Sequence, residues 1–299
     1  MWGVRPVSIS SESSGYIHTS NGRLWYRIVG GDKPGTPLLT VHGGPGQSHD
    51  YLFGPISLLG DERPVVFYDQ RDSGQSDRTG DRTLWNIESF MDDLETLRHQ
   101  LGLDKLHILG QSWGSMLTSE YMVSRKPDGV MSLIFSGANF SSQLWCDDQL
   151  KHLQEMPDDL RSIVEDAEKR KDYKSQAYAE ATKYFYHKFF CRLEPWPDSM
   201  NIMSQDLYEY MWGPSEFSCT GNLKEWSSMD RLGQINVPTL LTCGEYDEST
   251  PETNRRFQKL IPDAELVVFP GGSHEHHLEY PEKYVEVVRD FLRRVESRM

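Results

Sequence analysis

The stretch Ile108-Leu-Gly-Gln-Ser-Trp-Gly-Ser-Met116 places one serine between two glycines at the end of an apolar run. Gly-x-Ser-x-Gly at a strand-to-helix corner can lift a nucleophilic serine above a sheet, but the same pattern also occurs in ordinary turns. Two things separate the readings: the elements on either side, and the chemistry available at other strand ends.

Working outward, short apolar runs alternate with longer helical patterns. Residues 36–42 (TPLLTVH), 63–69 (RPVVFYD), 105–110 (KLHILG) and 131–137 (MSLIFSG) read as buried strands. Between the second and third, Ile87, Phe90, Met91, Leu94, Leu97 and Leu101 recur at helical spacing. A helix follows Ser112 to about Lys126, where Pro127 stops it. Apolar strands alternating with helices predict an α/β fold, a mostly parallel sheet covered on both faces. Residues 22–30 (GRLWYRIVG) alternate more like an edge strand. The rhythm breaks between 141 and 230: charged helical sequence at 149–192 gives way to the aromatic loops EPWPD and MWGPSEF. It resumes with a strand at 237–243, a helix over 252–260, a strand from 264 and a final helix near 280. We therefore expect a core of residues 1–140 and 231–299, with 141–230 inserted as an all-helical cap.

Composition narrows the function. A formal net charge of -14 over 299 residues disfavours nucleic acid and anionic membrane as partners, since basic patches read both. Cys146, Cys191, Cys219 and Cys243 show no paired spacing, so they read as free thiols in a reducing compartment. No leader-like apolar stretch opens the chain, and no segment approaches the ~20 apolar residues of a membrane span. These features predict a cytoplasmic location. The sequon at Asn139-Phe-Ser141 reads as a chance match. The sequence leaves the oligomeric state open and is compatible with a monomer.

Ligands of open parallel sheets sit at the carboxyl ends of the strands. Three such ends carry chemistry: His42-Gly43-Gly44-Pro45-Gly46 after the 36–42 strand, Asp247 with Glu245 and Glu248 after 237–243, and His274 after 264–269. The order Ser112, Asp247, His274 is that of a Ser…Asp…His triad on an α/β sheet. A serine hydroxyl requires a base, His supplies it, and an acid fixes the imidazole's tautomer. The oxyanion would be met by the backbone N–H groups of Trp113 and Gly44, with Gly43 the alternative. Gly110 and Gly114 would be small because the elbow packs tightly. This chemistry requires no cofactor. The His274-Glu-His276-His277 cluster matches no metal-ligand spacing, so no metal is expected, and His276 and His277 read as lining or surface groups. Arg71 reads as a structural ion-pair residue.

With these motifs in view, the chain resembles the proline iminopeptidases of the α/β-hydrolase superfamily, particularly the branch like the tricorn-interacting aminopeptidases. HGGPGQSHDYL, FYDQRDSGQSD, LGQSWGS, MWGPSEF, CGEYDESTP and GGSHEHHLE carry the resemblance. It implies removal of an N-terminal residue, often proline, from short peptides, and acidic side chains that hold the substrate's ammonium. The matching positions are Glu216 and Glu248. Asp72, Ser115 and Glu275 depart from the family's usual Gly, Gly and Met or Leu; the departures touch the choice of substrate rather than the catalytic groups.

The leading expectation is a serine aminopeptidase for an N-terminal proline or small apolar residue, its partner a short peptide or small amide or ester with a free amine. The alternatives are an amino-acid amidase, an ester or lactone hydrolase on the same triad, and a binding protein without turnover. Dehalogenase or epoxide-hydrolase chemistry is disfavoured, since position 112 is not Asp.

Overall fold

The computed structural model of the chain describes residues 11–298; the leader reading of residues 1–10 lies outside them. Eight strands form one sheet: β1 (Glu12–Thr19), β2 (Gly22–Val29), β3 (Leu38–Val41), β4 (Val65–Tyr68), β5 (Leu106–Gln111), β6 (Val130–Ser136), β7 (Thr239–Gly244) and β8 (Ala264–Phe269). Their spatial order is β1-β2-β4-β3-β5-β6-β7-β8. β2 is antiparallel to both neighbours, while the pairs from β4 to β8 are parallel. β3, β4, β5 and β7 are buried along their whole length, which is why they read as continuous apolar runs. The chain order reverses on either side of β3, the kind of place where open parallel sheets bind ligands beyond their strand ends.

β1 was absent from the sequence reading. Its side chains are mostly exposed and Gly15 interrupts them, so it carries no apolar alternation. The available signal was Asn21-Gly22, since β1 and β2 join through the two-residue loop Ser20-Asn21, with Thr19 opposite Gly22.

Before the 141–230 stretch, the α-helices are α1 (Asp50–Ile56), α2 (Ile87–Gln100) and α3 (Trp113–Ser124). In α2, Phe90, Met91, Leu94 and Leu97 face the sheet, and the Asn86 side chain caps the start by accepting from Ser89 N. α3 ends two residues short of Lys126, as the bias against helical backbone before Pro127 dictates. Between β6 and β7 lie α4 (Ser142–Leu153), α5 (Asp158–Arg170), α6 (Gln176–Phe185) running into a π-helical turn at Tyr186–Phe190, and α7 (Gln205–Met211). No described residue of this stretch joins the sheet. Part of it has its own apolar cluster, with Leu153, Val164, Ala181, Phe185, Phe189 and Phe217 buried together. The chain then returns through α8 (Pro251–Leu260), the single turn α9 (His276–Glu279) and α10 (Pro281–Glu296). α10 buries Tyr284, Val285, Val288, Phe291, Leu292 and Val295, a helical stripe against the sheet. All four cysteines are free. No helix among the described residues is long and apolar enough to cross a membrane.

Candidate active site

Ser112 joins β5 directly to α3 and holds φ 53°, ψ −122°. A non-glycine residue rarely adopts positive φ, so this corner is strained and must be held by its surroundings. The tight packing expected of the flanking glycines is present. A Cβ on Gly114 would stand 2.0 Å from the Val41 carbonyl oxygen, and one on Gly110 would stand 2.5 Å from that of Gly114. The elbow therefore nests against the end of β3, which brings Ser112 beside His42-Gly43-Gly44.

His274 follows β8 and Asp247 follows β7, so adjacent strands deliver them together. His274 Nδ1 lies 2.8 Å from Asp247 Oδ1, and both side chains are buried. Asp247 is itself fixed by the backbone N–H groups of Ser249 at 2.9 Å and Gly244 at 3.1 Å. Burial works against a charged His274, but the Asp247 carboxylate, by charge and hydrogen bond, outweighs it together with Glu248 and Glu275. The imidazole's proton affinity is therefore raised. Of the three acids in this segment, Asp247 meets the imidazole. Glu245 instead accepts from Gly271 N at 2.8 Å, and Glu248 borders the cavity.

That cavity is about 220 Å³ and is walled by Trp145, Tyr186, Phe190, Trp196, Tyr208 and Trp212, with Ser112 and His274 at its base. Glu216 and Glu248 both border it. Glu216 accepts from Trp145 Nε1 at 3.3 Å and from the Tyr208 hydroxyl. Burial raises the proton affinity of both carboxyls, and Glu248 is raised further by the charge of Glu216. One oxygen of Glu248, Oε1, is buried without a partner. Two clustered acids, one incompletely bonded, form a place where a cation relieves repulsion.

The oxyanion candidates separate. Gly43 N donates to the Tyr51 hydroxyl at 2.7 Å and is therefore engaged. Gly44 N and Trp113 N make no hydrogen bond to another described residue, and both residues line the cavity. The Asp69-Gln-Arg-Asp72 segment after β4 braces this loop. Asp69 accepts from His49 N and Nδ1. Gln70 donates from Nε2 to His42 O at 2.8 Å and accepts from Trp113 Nε1 at 2.8 Å. Arg71 pairs with buried Asp93, the structural role expected of it. Asp72, at φ 55°, sends its carboxylate away from the cavity to Thr79, Gly80 and Trp85 Nε1. Its departure from glycine thus acts on a loop and not on the substrate.

One expectation requires correction. His276 and His277 neither line the cavity nor reach the surface; both are buried. His276 is bonded to Thr242 Oγ1 and Ser136 Oγ, and burial depresses its proton affinity to about 4. No cluster of metal-ligating side chains occurs among the described residues. Ser115 is buried in α3, its hydroxyl donating to Ser112 O and accepting from Asn139 N. The sequon residue Asn139 is buried. Glu275 is also buried and borders the cavity, with no hydrogen bond on either carboxyl oxygen; burial pushes its proton affinity up to about 8. Sequence reasoning missed Gln70, Tyr51 and Gln111, whose side chains tie the loops together. Gln111 stood inside the motif itself, but a polar residue there has no distinctive pattern.

Residues 36–281 match the family described as having the alpha/beta hydrolase fold. A proline iminopeptidase of Heyndrickxia coagulans is 39% identical over 285 residues, covering 94% of this chain and 98% of that protein. The crystal structure of the proline iminopeptidase of Mycobacterium smegmatis superposes with a TM-score of 0.88 at 34% identity, covering 95% of this chain and 98% of that one. The structure of VinJ gives 0.89 at 34% identity, with 96% and 99% covered. Fold, strand order, elbow and comparisons converge: the chain belongs to the proline iminopeptidase family of the α/β hydrolases.

Proposed function

We propose that the protein is a serine aminopeptidase that releases an N-terminal proline or small apolar residue from short peptides. The observation that carries this reading is the pair Glu216 and Glu248, bordering the same small cavity as Ser112 and His274. An ammonium placed between two carboxyls regains in charge pairing what it loses in hydration, whereas an acylated amine would leave both acids unpaired. The aromatic walls from residues 141–230, which act as a cap, suit a compact apolar ring or side chain beside that charge.

In this mechanism Ser112 Oγ attacks the carbonyl carbon of the first residue while His274 Nε2 takes its proton. Asp247 stabilises the imidazolium through Nδ1–H. Gly44 N and Trp113 N donate to the oxyanion, and removing one such donor typically costs about 100- to 1000-fold in rate. His274 then returns the proton to the departing amine. Water, activated by the same base, releases the acyl group from Ser112.

The reading is tested with Glu216→Gln. It should raise KM for a prolyl anilide at least tenfold, while turnover of an N-acetylated ester changes little. An equal loss on both substrates would show that Glu216 does not recognise the amine. Burial raises the proton affinity of both acids, and the charge of Glu216 raises Glu248 further, so KM for free-amine substrates should fall as rising pH deprotonates them. The effect ends where the substrate ammonium itself deprotonates.

A further inference from the structure

We propose that Gln111 is a positioning residue that holds His274 as a proton-free base and ties that base to the oxyanion loop. The proposal rests on the Ser112–His274–Asp247 reading above. Gln111 is the last residue of β5, paired with Ser136 of β6 and directly before Ser112, so the sheet fixes its backbone. Its side chain is buried, with Nε2 at 3.1 Å from His274 Nε2 and Oε1 at 2.6 Å from the Tyr51 hydroxyl. Tyr51 in turn receives Gly43 N–H at 2.7 Å.

The direction of this chain is set at its backbone end. Gly43 N–H can only donate, so the Tyr51 oxygen accepts it and turns its own hydrogen to Gln111 Oε1. The amide of Gln111 must then present N–H to His274. At the far end, His274 Nδ1–H donates to Asp247, leaving the lone pair on Nε2. One run of hydrogen bonds, Gly43 to Tyr51 to Gln111 to His274, therefore specifies the neutral imidazole with a free lone pair. No other tautomer satisfies both ends.

That preference acts against strong opposition. Asp247 from the loop after β7 favours a charged imidazole by charge and hydrogen bond, and Glu248, Glu216 and Glu275 add to it as they lose their own protons. His276 and His277, neutral and buried, add no balancing charge. A donor on Nε2 is the contact that favours the uncharged ring. Ser112 Oγ makes no side-chain hydrogen bond to another described residue. Gln111 Nε2, and not Ser112 Oγ, is therefore the partner of the base in this geometry.

The test is the rate at which a fluorophosphonate labels Ser112 as a function of pH, which does not depend on the peptide specificity. Removing the donor with Gln111→Ala should move the acid limb upward by about half a unit to one unit and lower the plateau roughly tenfold. Gln111→Glu should move the limb further, since a carboxylate accepts from the imidazolium and holds it charged. Tyr51→Phe, which keeps the ring and breaks the relay, should move it in the same direction. If wild type labels but all three variants keep its midpoint, Gln111 is merely structural and the proposal is overturned. If wild type does not label at any pH, the Ser112 reading fails with it.

Discussion

At position 275 the chain holds a carboxyl that neither oxygen can hydrogen-bond, 3.4 Å from an equally unpartnered His277. The native group keeps its proton up to about 8, against an ordinary value of 4.5. Between those values the native state binds the proton that the unfolded chain has released, so this group makes stability fall as pH rises. Glu275→Gln should remove that decline, and urea unfolding at pH 5 and pH 8 should show it as a gain of a few kcal/mol at the higher pH. A variant whose stability falls with pH as steeply as wild type would contradict it. Ser112 makes the opposite kind of demand, since its strained φ serves the chemistry. Ser112→Ala should abolish hydrolysis with the thermal transition preserved; unchanged turnover would remove Ser112 from the mechanism.

At the scale of elements, each proposed catalytic group sits where a strand ends, and the loops that support them interlock through buried polar contacts. Asp72 is one such support: its carboxylate accepts from two backbone N–H groups, the Thr79 hydroxyl and Trp85 Nε1. Asp72→Gly should cost about 2 kcal/mol in stability, because freed backbone at positive φ offsets part of the lost bonding, and should leave KM unchanged. A changed substrate preference with unaltered stability would show that Asp72 faces the substrate after all. The buried strands β3 to β8 were legible because burial on both faces writes continuous apolar runs. β1 was not, since its exposed side chains record only solvent. The candidate triad was legible because its residue types fall in order at strand ends. Gln111, Tyr51 and Gln70 were not, because a hydrogen-bond network between distant loops leaves no periodicity or spacing in the chain. His276 and His277 misled for the same reason: their burial depends on α10 and the end of β7, which local sequence does not reveal.

Over the whole molecule, the sheet gives a rigid edge for Ser112 and His274, while the helices between β6 and β7 carry most of the aromatic walls. This 141–230 stretch is also bonded to the histidine loop. His274 N and Glu275 N donate to Phe189 O and Phe190 O at 2.9 Å, carbonyls of the π-helical turn at Tyr186–Phe190. Substrate contacts with Tyr186 and Phe190 can therefore bear on the position of the base. A cavity of about 220 Å³ takes a residue or two, so turnover should fall steeply for a proline at the ordered end of a folded protein compared with a free tripeptide. Equal turnover of the two would contradict a covered site.

The most direct test of the central claim is release of p-nitroaniline from prolyl-p-nitroanilide, beside its N-acetylated form, with Ser112→Ala as the blank. Cleavage of the free-amine compound alone, and none by the variant, is the expected result. Comparable cleavage of both compounds, or cleavage that survives in Ser112→Ala, would contradict it.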